Sequence, residues 1–135
     1  RDAAHKKMLE YKKTGKELPF DLADKTVFYA APCPAKPSEI IGSMGPTTSH
    51  RMDKFLAEFP QVKATMGKGA RSKAAEDFIR ANNSVYFEIE GGISTLLASC
   101  FEKYETVAFK ELSTEAVSLA KIKKLPAKVA ISAKR

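Results

Sequence analysis

Apolar positions along this chain change period several times, and each change predicts an element. Over residues 2–13, Ala4, Met8 and Tyr11 form a stripe with lysines elsewhere around it, which predicts a helix. Gly15 supplies its C-terminal glycine. Thr26-Val27-Phe28-Tyr29-Ala30 is rich in β-formers and predicts a strand. It runs into Ala31-Pro32-Cys33-Pro34-Ala35-Lys36-Pro37-Ser38, whose three prolines predict an irregular, fixed loop. Ile40-Ile41 is a candidate short strand, with Gly42 to Pro46 as the turn after it. Met52, Phe55, Leu56 and Phe59 then recur at i, i+3, i+4 and i+7, the spacing of a helix with one apolar face.

A short strand around Val62–Met66 leads into Gly67-Lys68-Gly69. The next helix is capped by Ser72 and buries Ala75, Phe78 and Ile79. Val85 to Ile89 alternates as a strand and Gly91-Gly92 breaks it. Ile93 to Phe101 is small and apolar, which predicts a buried helix. Thr106–Phe109 predicts a strand, Glu115–Leu119 a helical turn or two, and Val129–Ile131 a last strand. Strand and helix alternate without a repeat or a dividing linker. The expectation is one α/β domain over residues 1–135, a sheet layered with helices.

Composition narrows the class. The apolar fraction, 44%, and the length suffice to bury a core without staples. No apolar run approaches membrane-spanning length, and Arg1-Asp2 does not open a secretory signal. Cys33 and Cys100 stand alone with no CxxC, which argues against a disulfide framework or a zinc site. Two cysteines also cannot complete an iron–sulfur ligand set. The expectation is a soluble, cytoplasmic protein. Net charge is +7, with Lys6, Lys7, Lys12, Lys13 and Lys16 early and Lys121, Lys123, Lys124, Lys128, Lys134 and Arg135 late. Such a balance suits nucleic acid, a small anion or an acidic partner, or is simply a solvated face. No RNP-type motif, zinc finger or helix-turn-helix accompanies it, which argues against nucleic acid.

One segment places cations where helices usually avoid them. Helix formation begins just after Thr47-Thr48-Ser49, any of which could cap it. Arg51, and His50 when protonated, then sit in the first turn, against the positive end of the helix dipole. That costs roughly a few tenths of a kcal/mol per charge unless an anion is held there. The alternatives are an anion site and an ordinary cap followed by a solvated arginine. Glycine pairs Gly42/Gly45, Gly67/Gly69 and Gly91/Gly92 mark three expected strand-to-helix junctions, where α/β sheets gather ligands. A site of Thr47, Thr48, Arg51 and Lys68 would suit carboxylate or phosphate; otherwise the glycines only let the chain turn.

Other motifs fail. A P-loop needs glycine where Val62 stands and Ser or Thr where Gly69 stands. Gly67-Lys68-Gly69-Ala70-Arg71-Ser72 lacks the third glycine of a dinucleotide fingerprint. His5 and His50 have no metal-ligand partner at useful spacing. Cys33 has no visible base, and Asp53 with Glu58 reads as solvated charge rather than an acid/base pair.

In order, the pieces resemble one family. They are Arg1-Asp2-Ala3-Ala4-His5; Pro32-x-Pro34 with Lys36-Pro37; Gly42-Ser43-Met44-Gly45-Pro46-Thr47-Thr48-Ser49-x-Arg51-Met52-Asp53; Gly67-Lys68-Gly69; Gly91-Gly92; and Glu111-Leu112-x-x-Glu115-Ala116. Together they are similar to the β subunit, or C-terminal domain, of class I iron–sulfur hydro-lyases: the oxygen-sensitive fumarases and L(+)-tartrate dehydratases. The resemblance covers nearly the whole chain. It implies a swivelling β/β/α domain and reversible addition of water across a dicarboxylate double bond. It also implies a 4Fe-4S cluster held by a separate α subunit or N-terminal domain, in a hetero-oligomer, and not by this chain. By the same resemblance Arg1, Arg51 and Lys68 clamp substrate carboxylates, while Thr47, with Thr48 beside it, handles the proton. His5 supports Arg1, and Gly45, Ser49, Asp53, Gly67 and Gly69 support the pocket.

The chain departs from the family at three places. His50 stands where members often carry a small residue, Ala70-Arg71 makes the loop after Gly69 more basic, and the chain opens directly on Arg1. The last predicts a chain lacking an upstream segment. The expected function is fumarate hydration to (S)-malate. The alternatives are L(+)-tartrate dehydration and a non-catalytic anion-binding domain.

Overall fold

In the computed structural model, residues 1–133 are described; Lys134 and Arg135, counted in the basic cluster above, lie outside the described residues. Along the chain the elements are α1 (Asp2–Lys13), β1 (Thr26–Phe28), β2 (Ala30–Pro32), β3 (Met44–Pro46), a 3-10 turn (Ser49–Met52) running into α2 (Asp53–Leu56), and β4 (Ala64–Gly67). Then come α3 (Lys73–Ala81), β5 (Val85–Glu88), α4 (Ser94–Ser99), β6 (Phe101–Ala108), a 3-10 segment (Lys110–Glu115), β7 (Val117–Ile122) and β8 (Lys128–Ser132). A four-stranded sheet runs β1-β4-β5-β8, parallel except for β8. Two-stranded sheets β2-β3 and β6-β7 flank it, so the α/β expectation holds as a mixed α/β fold.

Alternation along the central strands sorts the core into two sides. Val27 packs with Tyr29, Met52 and Phe55, and Tyr86 with Leu56, Ala75, Ile79 and Ile131. Their neighbours Phe28, Met66 and Phe87 join Leu97 and Phe101 in a separate cluster. Helix α1 lays Ala4 and Met8 against Leu22, Phe59 and Val62. It ends as expected at Gly15, whose φ is +74°. The amides of Gly15 and Lys16 return to the carbonyls of Lys12 (3.2 Å) and Tyr11 (2.9 Å), a Schellman ending. Ser72 caps α3, its Oγ accepting from the Ala75 amide at 3.1 Å.

Several expectations give way to pairing that is not local in sequence. The predicted Thr26–Ala30 strand breaks at Tyr29, whose amide donates to the Met66 carbonyl (2.8 Å) and whose carbonyl accepts from the Thr47 amide (2.6 Å). The chain thereby passes from the central sheet into β2. Ala31 and Pro32 are therefore strand rather than loop, and Met44–Pro46 is strand rather than turn; Ile40-Ile41 is neither. A two-stranded sheet tolerates proline because one side of each strand needs no partner. The junction expected at Gly42/Gly45 accordingly leads into β3, not a helix.

The helix after Ser49 is short, and no side chain caps its start, so none of Thr47, Thr48 or Ser49 serves the cap expected of it. Helix α4 buries Leu97 but leaves Leu96 53% exposed, so it is half-buried rather than wholly so. Strand β6 begins at Phe101, well before the expected Thr106. Residues Val117–Leu119 are strand, and the helical turn lies earlier, at Lys110–Glu115. Positive φ at Phe109 and Ser113 bends the chain there so that β7 can return along β6.

Candidate active site

Strands β3 and β4 end side by side, and this brings the two glycine-bearing motifs together. Thr48 and Lys68 form a parallel bridge. The Lys68 amide donates to the Thr47 carbonyl at 3.0 Å, and the Ser49 amide donates to the Lys68 carbonyl at 2.9 Å. Such an approach leaves no room for a side chain on Gly67: a Cβ there would lie 2.0 Å from Ser49 Oγ and 2.9 Å from a ring carbon of Tyr29. Gly69 follows at φ +83°, a conformation that favours glycine. Gly45, by contrast, is exposed in β3, and a Cβ on it would meet only the Ala31 carbonyl at 3.8 Å.

Thr47 is buried and Thr48 exposed. Among the described residues no hydrogen bond or ion pair reaches Thr47 Oγ1 or the Lys68 ammonium. The Lys68 stem passes over Gly91, where a Cβ would come within 3.0 Å of its Cδ.

The start of α1 adjoins this ledge. The Arg51 amide donates to the Thr48 carbonyl at 3.3 Å, and its guanidinium donates to Asp2 Oδ1. Burial alone would push the Asp2 carboxyl up; the Arg51 hydrogen bond and charge more than offset it, and the group lies below its ordinary value. Arg1 precedes Asp2, and its Nε is buried with no partner. His5 is buried against Tyr29 and Phe55, with ring centroids 5.6 and 5.3 Å away. Desolvation lowers its pKa to about 4, against the upward pull of its bond to the Arg1 carbonyl. The ring is therefore neutral at pH 7. Because a carbonyl only accepts, Nδ1 carries the proton and donates to Arg1 O at 2.8 Å. His5 thus bonds the backbone that carries Arg1.

Behind the ledge lies a buried polar network that the sequence did not reveal. Asp53 Oδ1 accepts from Arg71 Nε at 2.7 Å and Oδ2 from the Ser72 amide at 2.8 Å. The Arg71 side chain is fully buried. Its guanidinium carbon lies 5.1 and 5.0 Å from the ring centroids of Tyr29 and Tyr86, within cation–π range of both. It also donates to the Tyr29 hydroxyl (3.3 Å) and to Thr65 Oγ1 (3.2 Å). Arg71 therefore does not make the loop more basic, as its place after Gly69 suggested; its charge is internal and paired. The Tyr86 hydroxyl pairs with Ser49 Oγ at 2.8 Å and also bonds the Gly69 carbonyl. His50 is exposed, its Nδ1 3.3 Å from Asp53 Oδ2.

Thr47, Thr48, Ser49, Gly67, Lys68 and Gly69 thus form one ledge, with Arg51, Asp2, Arg1 and His5 along its side. Two acids of the Glu111-Leu112-x-x-Glu115-Ala116 string reach the same edge. Glu115 Oε1 accepts from the Ala3 amide at 3.3 Å, and Glu111 pairs with Lys7, so the Glu111–Ala116 motif braces α1. Its spacing was visible, but its purpose depends on where α1 packs.

The family model described as Fumarase C-terminus matches residues 1–135. The chain is 33% identical over 138 residues to the "Fumarate hydratase class I, anaerobic" of Escherichia coli (strain K12), covering 99% of this chain and 25% of that protein. It is 34% identical over 114 residues to a "Putative L(+)-tartrate dehydratase subunit beta" of Methanocaldococcus jannaschii, covering 81% of this chain and 58% of that one. The E. coli (strain K12) "L(+)-tartrate dehydratase subunit beta" is 32% identical over 117 residues, with 83% and 57% covered. The chain therefore spans about a quarter of the fumarate hydratases and somewhat over half of the β subunits it matches. It belongs to the fumarase C-terminal family, which unites class I fumarate hydratases with the β subunits of L(+)-tartrate dehydratases.

Proposed function

We propose that this chain supplies the substrate-binding and proton-handling half of a class I fumarate hydratase, catalysing reversible hydration of fumarate to (S)-malate. The observation that supports it best is the uncommitted chemistry of the ledge: among the described residues, the buried Arg1 Nε, the Thr47 hydroxyl and the Lys68 ammonium have no hydrogen-bond or ion-pair partner. Elsewhere the structure pairs charges that lie near one another, as in Lys12–Glu58, Lys73–Asp77 and Arg80–Glu76. In this reading Arg1 and Arg51 present planar forks to the substrate carboxylates and Lys68 adds a point charge. Asp2 takes one edge of Arg51 and leaves the rest of the fork for the ligand. Thr47 moves the proton at its Oγ1. Threonine is a poor base at its free pKa, so the adjoining cations must stabilise its developing alkoxide character.

The 4Fe-4S cluster that the family implies does not fit this chain's own residues. Cys33 is exposed, and Cys100 is buried with its Sγ toward the Leu96 and Lys124 carbonyls. Among the described residues no three His, Cys, Asp or Glu could hold a metal ion together. The cluster is accordingly assigned to the partner, an α subunit or N-terminal domain, against which this swivelling domain would close.

The second reading keeps the site and changes the substrate to L(+)-tartrate; the similarity to two tartrate dehydratase β subunits favours it. In the assembled enzyme Arg51→Ala should lower kcat/KM by two orders of magnitude or more, roughly 3 kcal/mol of lost transition-state binding, with the Tm kept within a few degrees. Near-normal kcat/KM would remove Arg51 from the site. Thr47→Val should lower kcat more than it raises KM.

A further inference from the structure

We propose that Arg71 is a positioning residue: clamped to Asp53, it holds the turn that carries Arg51 at a fixed distance from the loop that carries Lys68. The functional part of this inference rests on the carboxylate-binding reading above. Asp53 follows Arg51 at the start of α2, and Arg71 follows Lys68 and Gly69 in the loop before α3. Their contact therefore joins the two cation-bearing segments from behind, away from the open ledge. Asp53 divides its carboxylate between the two sides of the joint, one oxygen to Arg71 Nε and the other to the Ser72 amide.

The chemistry of the joint fits orientation better than cohesion. A buried ion pair is weak support for stability, because desolvation offsets most of the attraction. An apolar side chain between Tyr29 and Tyr86 would fill the space as well. What only arginine supplies is a rigid planar fork, here within cation–π range of both rings and hydrogen-bonded to Asp53, Thr65 and the Tyr29 hydroxyl. Tyr86 adds a second rivet between the same segments, bonding Ser49 on one and the Gly69 carbonyl on the other.

The test replaces both partners at once, since either alone would leave a buried unpaired charge. Asp53→Asn with Arg71→Met keeps an acceptor for Ser72 and fills the volume without the fork. Amide exchange at Ser49 and Lys68 in this chain, whose bonds bridge the two segments, should accelerate at least tenfold, while amides along the β5–β8 pairing stay as slow as before. In the enzyme assembled with its partner, KM for the dicarboxylate should rise about tenfold, with kcat changing less. Arg71→Lys, which keeps the charge and loses the fork, should shift both quantities in the same direction by less, and stands in if the double variant does not fold. Unchanged exchange, or faster exchange with unchanged KM, would overturn the proposal. No turnover in the unaltered assembly would instead strike at the proposed reaction, and the exchange rates would still judge the clamp.

Discussion

The ledge around Thr47 and Lys68 and the ribbon of β6 and β7 treat polar residues in opposite ways. On the ribbon, Glu102, Lys103, Glu105 and Lys121 are all exposed, Lys103 lies directly across from Lys121, and Leu119 is 49% exposed between charges. Beneath the ledge, Ser49, Thr65, Arg71 and Tyr86 are buried and all hydrogen-bonded. The ribbon keeps its shape by backbone pairing and tolerates almost any side chain on its outer face. The ledge has its shape set by particular atoms, down to the missing Cβ of Gly67. A site that must hold several cations in register needs the second kind of construction.

The sharpest way to break this contrast is Gly67→Ala. The added methyl would lie 2.0 Å from Ser49 Oγ and 2.9 Å from the Tyr29 ring, so the buried Ser49–Tyr86 bond and the packing around it must give way, at a cost of about 3 kcal/mol or more. A thermal midpoint within a few degrees of the parent would show the ledge to be as plastic as the ribbon.

Next in size is the pH response of the α1 edge. His5 binds a proton at an ordinary 6.5 when unfolded and only at about 4 when buried. The unfolded chain therefore takes up the proton first as pH falls. The stabilisation is fully present above pH 6.5 and is lost progressively down to pH 4, up to roughly 3 kcal/mol. Asp2, held below its ordinary value beside Arg51, adds a loss of the same sign at lower pH. Urea unfolding at pH 7.5 and pH 4.5 should show the drop, and His5→Gln should flatten it between pH 6.5 and 4.

Ser72→Ala sharpens the comparison at smaller scale. It removes the cap bond to the Ala75 amide and should cost about 1 kcal/mol by chemical denaturation, while Asp53 still holds the Ser72 backbone amide. Smallest is Leu119→Thr on the ribbon, which should move stability by no more than about 0.5 kcal/mol. A larger loss would mean that the outer face of the ribbon is not free.

How legible each region was follows from the same contrast. Helices α1 and α3 could be read because a stripe, a cap and a terminal glycine are local signals, and Ala4, Met8, Ser72 and Ile79 behave as their spacing predicts. Strands β2, β3 and β7 could not, because their pairing partners come from elsewhere and the exposed β7 lacks an apolar period. At the site, Thr47 and Arg51 could be singled out because cations in the first turn of a helix are unusual, and Lys68 because it stands between two glycines at a strand end. Arg71 was misjudged because an arginine in a basic loop reads as surface charge. Only the fold, by placing Tyr29, Tyr86 and Asp53 around it, turns that charge inward. Family resemblance compensated for part of this gap, since the Gly-Pro-Thr-Thr-Ser-x-Arg-Met-Asp string identified the family before any contact was known.

The proposed function makes the ledge half of a dicarboxylate hydratase site. It is tested most directly by an anaerobic hydratase assay on this chain combined with its cluster-bearing partner, with fumarate and L(+)-tartrate offered in parallel. Turnover of fumarate, lost in Arg51→Ala, is the predicted result; turnover of tartrate alone would keep the site and change its substrate. Silence on both substrates with the cluster intact would contradict the claim and leave an anion-binding domain that does not catalyse.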